Sequence, residues 1–280
     1  MRPVIGLCRF SFVGRGDWVA WRGHDGDDAL RAETASMLYD EARLTRRFWT
    51  FENLLLASLK AQTCPDWHLI VLTSDVMPQR WLDRLRDICA SDPRITVEIS
   101  SLNDVNTAML PTVAEVEKTI GNTDGRTVQF RIDDDDCLSN VYVERLQAVT
   151  AAFSEFKAFS FTMPKGLVAT FYDDQPPQAY ELELPFHSVG TAALLPPRRA
   201  GDSTIFSFGH FGIGKRWHAV ADYGPPGFFA VKMTDHDSAQ ITADGGGKHA
   251  AISWDALEAR LATNFPFIDL PGLRKALAAG

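Results

Sequence analysis

The sequence has little cysteine: Cys8, Cys64, Cys89 and Cys137 are the four in 280 residues, and none is in CxxC spacing. That spacing points to neither a zinc site nor a thioredoxin-type motif. Free, scattered cysteines are expected of a protein in a reducing cytoplasm. Long apolar runs are also missing, and none approaches the roughly 18–20 residues that span a bilayer. The opening Met-Arg-Pro-Val-Ile-Gly-Leu-Cys is too short in apolar residues for a signal peptide and reads as a first strand. Positive charge is in deficit, with 28 Lys and Arg against 36 Asp and Glu, a net charge of -8. That argues against a general nucleic-acid surface, which would need a basic stripe. Internal repeats and low-complexity segments are absent. What is present is ordinary for a soluble globular chain, 45% hydrophobic and 23% charged, with a length that suits one large domain or two small ones.

The first half alternates strand and helix signals. Pro3–Cys8 is a short apolar run, and residues 14–28, rich in Gly and Asp, are expected to form a loop. From Arg47 to Gln62 the stripe Phe48, Phe51, Leu54, Leu55, Leu59 predicts a strong helix. Trp67–Thr73 predicts a buried strand, Pro78–Ala90 a helix with Pro in its first turn, and Arg94–Ile99 a strand. Thr112–Ile120 predicts a helix and Thr127–Ile132 a strand. Tyr142, Leu146, Val149, Phe153 and Phe156 then predict another amphipathic helix. This alternation implies parallel βαβ units in a doubly wound sheet. After about residue 157 short aromatic-rich runs appear at 158–163, 167–172, 204–208 and 228–233, punctuated by Pro and Gly. That half is expected to be mixed, loop-rich and more antiparallel, with terminal helices near 253–263 and 271–278 packed back on the body. The division is 1–156 and 157–280, within one continuous α/β domain.

The most informative stretch is Val128-Gln-Phe-Arg-Ile-Asp-Asp-Asp-Asp-Cys-Leu138. A β-prone run delivers four adjacent carboxylates, Asp133 to Asp136, and Ser139-Asn140 follow as helix starters. Four such charges repel one another unless a cation or solvent offsets them. A strand's end in an open α/β sheet is also where ligands usually bind. Oxygen-rich sites of this kind suit Mg²⁺ or Mn²⁺ held with a substrate phosphate. Three readings compete. One is a solvated acidic turn at a helix start. Another is a haloacid-dehalogenase-like Mg-dependent phosphatase, whose D-x-D-x-[TV] motif is approached by Asp133-x-Asp135-x-Cys137-Leu138. That motif normally closes a first strand, and here three strand candidates precede it. The third is the D-x-D site of a nucleotide-sugar glycosyltransferase, active or reduced to a binding module.

Three stretches together resemble the rhamnosyltransferase family of bacterial GT-A-type proteins. They are Cys8-Arg9-Phe10-Ser11; Arg47-Phe48, Phe51-Glu52 and Ser58-Leu-Lys-Ala-Gln-Thr63, with the strand His68–Asp75; and Phe130–Asp136 with its helix through Arg145-Leu146. The likeness is clearest over residues 4–155. It implies a GT-A-like mixed sheet with a loop-rich, acceptor-binding C-terminal half. The implied reaction moves a sugar from a nucleotide-diphosphate donor to a saccharide or other hydroxyl acceptor, with Mn²⁺ or Mg²⁺. Carried over, it places Arg9, Phe10 and Ser11, and Thr73, Ser74 and Asp75, at the nucleotide pocket. Asp133 falls on the ribose and metal side, Asp135 on the metal, and Asp136 on the metal or sugar. Arg131 is either a diphosphate contact or a charge-balancing partner in the sheet. A late histidine, His236, is implied as a further metal contact. Related inverting enzymes carry an acidic base about where His210 stands; this chain lacks the Glu-Asp pair. His210 becomes the candidate base, with Asp173, Asp174 and Asp222 as alternatives.

Other motifs carry less. Gly209-His-Phe-Gly-Ile-Gly-Lys215 satisfies part of a P-loop, but Arg216 follows where a Ser or Thr would hold Mg²⁺. Lys215 and Arg216 remain candidates for a phosphate contact. Trp18 and Trp21 stand in a polar loop, where aromatics either stack on sugars or pin the loop to the core. His187 and His218 have no distinguishing context, and His24 and His249 sit in Gly/Asp-rich segments.

Overall fold

The computed structural model describes residues 2–14, 28–122, 126–199, 201–236, 239–241 and 248–277. Trp18, Trp21 and His24 lie outside them. A central seven-stranded sheet is built on four parallel strands, β1 (Val4–Arg9), β2 (Trp67–Ser74), β3 (Ile95–Ser100) and β4 (Val128–Asp133), in the order β4-β1-β2-β3. The aspartate run continues as β5 (Asp136–Leu138), which belongs to a second sheet. Later residues extend the first sheet beyond β4. β6 (Phe159–Thr162), β9 (Ala192–Leu194) and β10 (His218–Ala221) complete the order β10-β6-β9-β4, with β9 antiparallel to both neighbours. β7 (Lys165–Phe171), β8 (Gln178–Glu183), β11 (Phe228–Met233) and β12 (His249–Ile252) join β5 in the order β12-β8-β7-β11-β5.

The helices are α1 (Asp28–Leu38), α2 (Glu41–Thr50), α3 (Ala57–Lys60), α4 (Gln79–Cys89), α5 (Val105–Thr119), α6 (Tyr142–Ala152), α7 (His210–Ile213), α8 (Trp254–Asn264) and α9 (Leu270–Leu277). Period-two alternation decides which face each strand side chain covers. Ile5, Leu7, Ile70 and Leu72 pack under Val105, Met109 and Val113 of α5. Val4, Cys8, Leu69 and Val71 face α2, α4 and α6. In the second sheet Phe228 and Ala230 join that core, while Phe229 and Val231 pack on Leu257, Leu261 and Leu273 of the terminal helices. The fold is thus mixed α/β, with helices on both faces of a largely parallel sheet. No described helix is long and apolar enough to cross a membrane.

Some local expectations need correction. The helix expected from Arg47 starts at Glu41, where the Asp40 side chain accepts the N–H of Arg43 as an N-cap. It passes through a π-helical turn, Phe51–Leu56, before α3. The helix expected at Thr112–Ile120 begins at Val105, capped by Asp104, and carries Pro111 inside it. Of the aromatic-rich runs, 204–208 forms a 3₁₀ turn, Ile205–Ser207, closed by a capping box between Thr204 and Ser207.

Gly6 sits mid-strand where β1 meets β4. A Cβ there would lie 2.4 Å from Phe130 Cζ. Gly6→Ala is therefore expected to overpack the sheet and cost about 1–3 kcal/mol. An unchanged urea midpoint would show that the Phe130 ring has room to yield.

Candidate functional site

β1, β2 and β4 run in register, with Arg9 beside both Leu72 and Asp133, so their C-terminal ends form one edge. The segment before β9 reaches the same edge, because the Arg131 N–H donates to the Thr191 carbonyl and the Gly190 N–H to that of Arg131. On one side of this edge Arg9 Nε and Nη2 donate to Asp133 Oδ1 at 3.1 and 2.8 Å. The guanidinium groups of Arg9 and Arg131 lie 5.2 and 4.8 Å from the centre of the Phe206 ring.

The next carboxylates are buried and paired. Arg47 Nη1 lies 2.9 Å from Asp134 Oδ1 and 2.6 Å from Asp135 Oδ2, with all three side chains 6–8% exposed. Asp134 also accepts from the N–H and hydroxyl of Ser11, at 3.2 and 3.4 Å. Ser11 reaches it by adopting a left-handed φ of 45°, costly for a residue with a side chain. Arg43 donates to the Ser11 hydroxyl, and Arg46 pairs with Asp235 at 2.9 Å. The π-helical turn starts just after Thr50, whose hydroxyl donates to the Asp134 carbonyl. The charges that offset the aspartate run are therefore Arg9 of β1 at Asp133 and Arg43 and Arg47 of α2 at Asp134 and Asp135, with Arg46 beside them paired to Asp235.

His236 Nε2 lies 3.0 Å from Asp135 Oδ2 and 3.8 Å from Asp235 Oδ1, and among the described residues it makes no hydrogen bond. Burial, then the Arg47 charge, pushes the His236 imidazole below its ordinary value, so it is neutral and keeps a lone pair. Asp135 is held well below the usual carboxylate range, because the Arg47 guanidinium beside it outweighs its burial. Burial, then the neighbouring Asp135 charge, raises the Asp136 carboxyl well above that range; it lies in β5 opposite Ala230.

The other candidates divide. Phe10 is corrected: its side chain is 0% exposed and packs edge-on against Phe48 and Phe51, so only Arg9 and Ser11 of that trio face the crevice. Thr73 and Ser74 are also 0% exposed, and the Ser74 hydroxyl accepts the Val13 N–H at 2.8 Å, fixing the chain after β1. Asp75 stays at the surface, paired with Arg31 of α1. His210 opens α7, and its Nδ1 lies 2.8 Å from the Phe186 carbonyl. Of the alternative bases, Asp222 accepts the Gly224 N–H at 2.9 Å, while the backbone of Asp173 donates to Thr234.

Two groups escaped the sequence reading. The first is the arginine cluster; Arg43 and Arg47, four apart beside the stripe Leu44, Phe48, Phe51, were its visible signal. The second is His187, whose ring stacks on Phe228 with centroids 4.8 Å apart and planes 5° apart. Its Nδ1 accepts the Val189 N–H at 3.3 Å, so its proton is on Nε2. Burial, then Lys232, brings its pKa down to about 3.

Among the described residues no group of three or more His, Cys, Asp or Glu is arranged to hold a metal ion. The Asp135–His236 pair still fits part of a coordination shell. Cis ligands about 2.1 Å from an octahedral ion stand roughly 3 Å apart, and Mg²⁺-type sites often use one or two protein ligands plus substrate phosphates.

Solved structures with similar chain traces include S. aureus TarS 1–349 in complex with UDP. It has 10% identity and a TM-score of 0.40, over 82% of this chain and 60% of that one. For the TarS complex with UDP-GlcNAc the identity is 11% and the TM-score 0.41, over 100% of this chain and 71% of that one. This chain thus covers about 60% of the length of the first of them. No curated protein matches the sequence. Residues 3–245 match the family described as "Putative rhamnosyl transferase". That span is well over half of the 280 residues, and the chain belongs to this family of glycosyltransferases.

Proposed function

We propose that this chain transfers a sugar, rhamnose by the family's description, from a nucleoside-diphosphate donor to an acceptor hydroxyl. The observation that carries the reading is the C-terminal edge itself, where Asp133–Asp136 emerge beside Arg9, Ser11 and Asp75, with His236 turned toward Asp135. Asp75 and the Arg9–Asp133 pair flank the nucleoside, and Arg9 and Arg131 face the diphosphate. Residues 157–280 supply the acceptor side. Asp135 and His236 are the side chains that would hold Mn²⁺ or Mg²⁺ together with the diphosphate. When bound, the ion would stabilise the negative charge of the departing nucleoside diphosphate.

The chain's own residues do the rest. Arg47 holds the Asp135 carboxylate in place and ionised. The Nδ1–H of His210 donates a hydrogen bond to the Phe186 carbonyl, which can only accept, so the neutral ring has its basic lone pair on Nε2. That nitrogen takes the acceptor's proton as the hydroxyl attacks the anomeric carbon.

Asp135→Asn tests the site. It removes a charged ligand of a hard cation while keeping the shape of the side chain. Calorimetry with UDP, GDP and dTDP, with and without Mn²⁺, is expected to show metal-dependent binding of one nucleotide by the wild type and none by the variant. Equal Mn²⁺-dependent affinity in both would remove Asp135 from the metal.

A further inference from the structure

A groove of about 900 Å³ opens at the other end of the strands from Asp133. β6 and β10 begin there, β9 ends there, and the register levels Phe159 with Leu194 and Leu194 with Val128, the first residue of β4. The groove is therefore separate from the aspartate edge. Its volume is within the usual range of ligand pockets. Lys157, Lys215 and Arg216 line it, against a single carboxylate, Glu155. Among the described residues none of these three cations is in an ion pair; Arg216 lies over the Phe208 ring at 5.3 Å. In a chain of net charge -8 this is a local reversal of sign. Flat apolar surfaces alternate with the cations. Phe156 is 38% exposed and stands edge-on to His218, Trp217 stands edge-on to Phe208, and Pro196 and Pro197 close the wall.

Cations interleaved with ring faces match a ligand that has both anionic groups and sugar rings. We propose that the groove binds an acidic polysaccharide, holding a polymeric acceptor away from the transfer site; the choice of a glycan rests on the glycosyltransferase reading above. A nucleic acid is disfavoured because its affinity comes from many phosphate contacts, and the patch is short in a chain of net negative charge. The late Gly-x-x-x-x-Gly-Lys segment, with Arg216 in place of the hydroxyl residue, would then be a source of groove cations instead of a nucleotide loop.

The test is calorimetry in EDTA with oligogalacturonate as the acidic probe and maltoheptaose as the neutral one. The wild type is expected to bind oligogalacturonate, less tightly as salt rises, and to bind maltoheptaose far more weakly. The double substitution Lys215→Gln, Arg216→Gln is expected to weaken oligogalacturonate binding by roughly tenfold or more, the scale of losing charge-assisted contacts. Trp217→Ala should weaken it too. The double variant should melt like the wild type, Trp217→Ala somewhat earlier because its ring packs on Phe208, and both should keep Mn²⁺-dependent nucleotide binding at a temperature where they are folded. No binding of oligogalacturonate would overturn the proposal. So would equal binding of maltoheptaose, full affinity in the double variant, or tighter binding of single-stranded DNA or phosphatidylserine vesicles. If oligogalacturonate binds as expected but no nucleotide binds with Mn²⁺, the groove stands and the donor-site reading falls.

Discussion

Arg47→Met is expected to cost the folded chain about 3–5 kcal/mol, because it removes one partner from a buried ion-pair network and leaves the others uncompensated. A domain is stable by only about 5–15 kcal/mol in total, so the variant should fold marginally. One guanidinium nitrogen bridges Asp134 and Asp135, and the rest of the group faces Asp235. Methionine keeps the length and apolar stem but supplies no charge. Arg47→Lys keeps the charge without the planar fork and should lose less. The loss should depend on pH, and its sign follows from the two aspartates. Burial raises Asp134 from 3.8 to about 6, with Arg47 opposing a further rise. The folded state therefore holds a proton that the unfolded chain releases, and stability falls as pH rises through that window. Asp135 is lowered instead, so its contribution is present above 3.8 and lost as pH falls through its folded value. Removing Arg47 raises both, so the deficit should already be present at about pH 4.5, where wild-type Asp135 is ionised, and grow further toward neutrality as Asp134 ionises. Urea titrations in EDTA at about pH 4.5 and 7.5 measure this. A deficit below about 1 kcal/mol and equal at both pH values would mean that the network behaves as a solvated surface pair.

How the aspartates are held also shows what the sequence could convey. Val128–Ile132 is β-prone and its strand ends at Asp133, so the run's place at the edge of a parallel sheet follows from local signals. The partners of the run do not. Arg47 is 87 positions from Asp134, and only the packing of α2 against the sheet brings them together. β5 was equally hidden, since aspartate disfavours strands and Asp136 enters one through its pairing with β11. The short strands β9, β10 and β12 have three or four residues each, too few for periodicity to declare itself. At 204–208 the aromatic-rich run carried no element type, and it is the mutual capping of Thr204 and Ser207 that makes it a turn. That turn presents Phe206 to Arg9 and Arg131. Likewise His187 had no sequence context because its context, Phe228 and Lys232, is supplied by β11.

Under the proposed mechanism, His210→Ala is expected to lower turnover by roughly 10²–10⁴-fold, the span for loss of a general base. Donor affinity should stay nearly unchanged, because the ring is held by Phe186 and not by the residues placed at the nucleotide. The Phe186 carbonyl fixes the tautomer, and Phe186 itself has a left-handed φ of 57°. Its ring also fills the space that a Cβ on Gly214 would occupy, 2.3 Å away, so the base is seated on a tightly fitted turn. Phe186 and His210 lie at the aspartate edge, since the Phe186 N–H donates to Thr162, the last residue of β6. A purely structural histidine would pin this turn and nothing more. The two roles separate by measurement: a structural His210→Ala variant melts early and keeps its specific activity at low temperature, whereas loss of a base lowers kcat with the melting temperature nearly intact. His210→Gln refines the comparison, because its amide can still donate to the Phe186 carbonyl but cannot take a proton at neutral pH. If His210→Gln restores turnover, proton abstraction passes to a carboxylate, and Asp222, just after β10, is the nearest in sequence of the three alternative aspartates to test next.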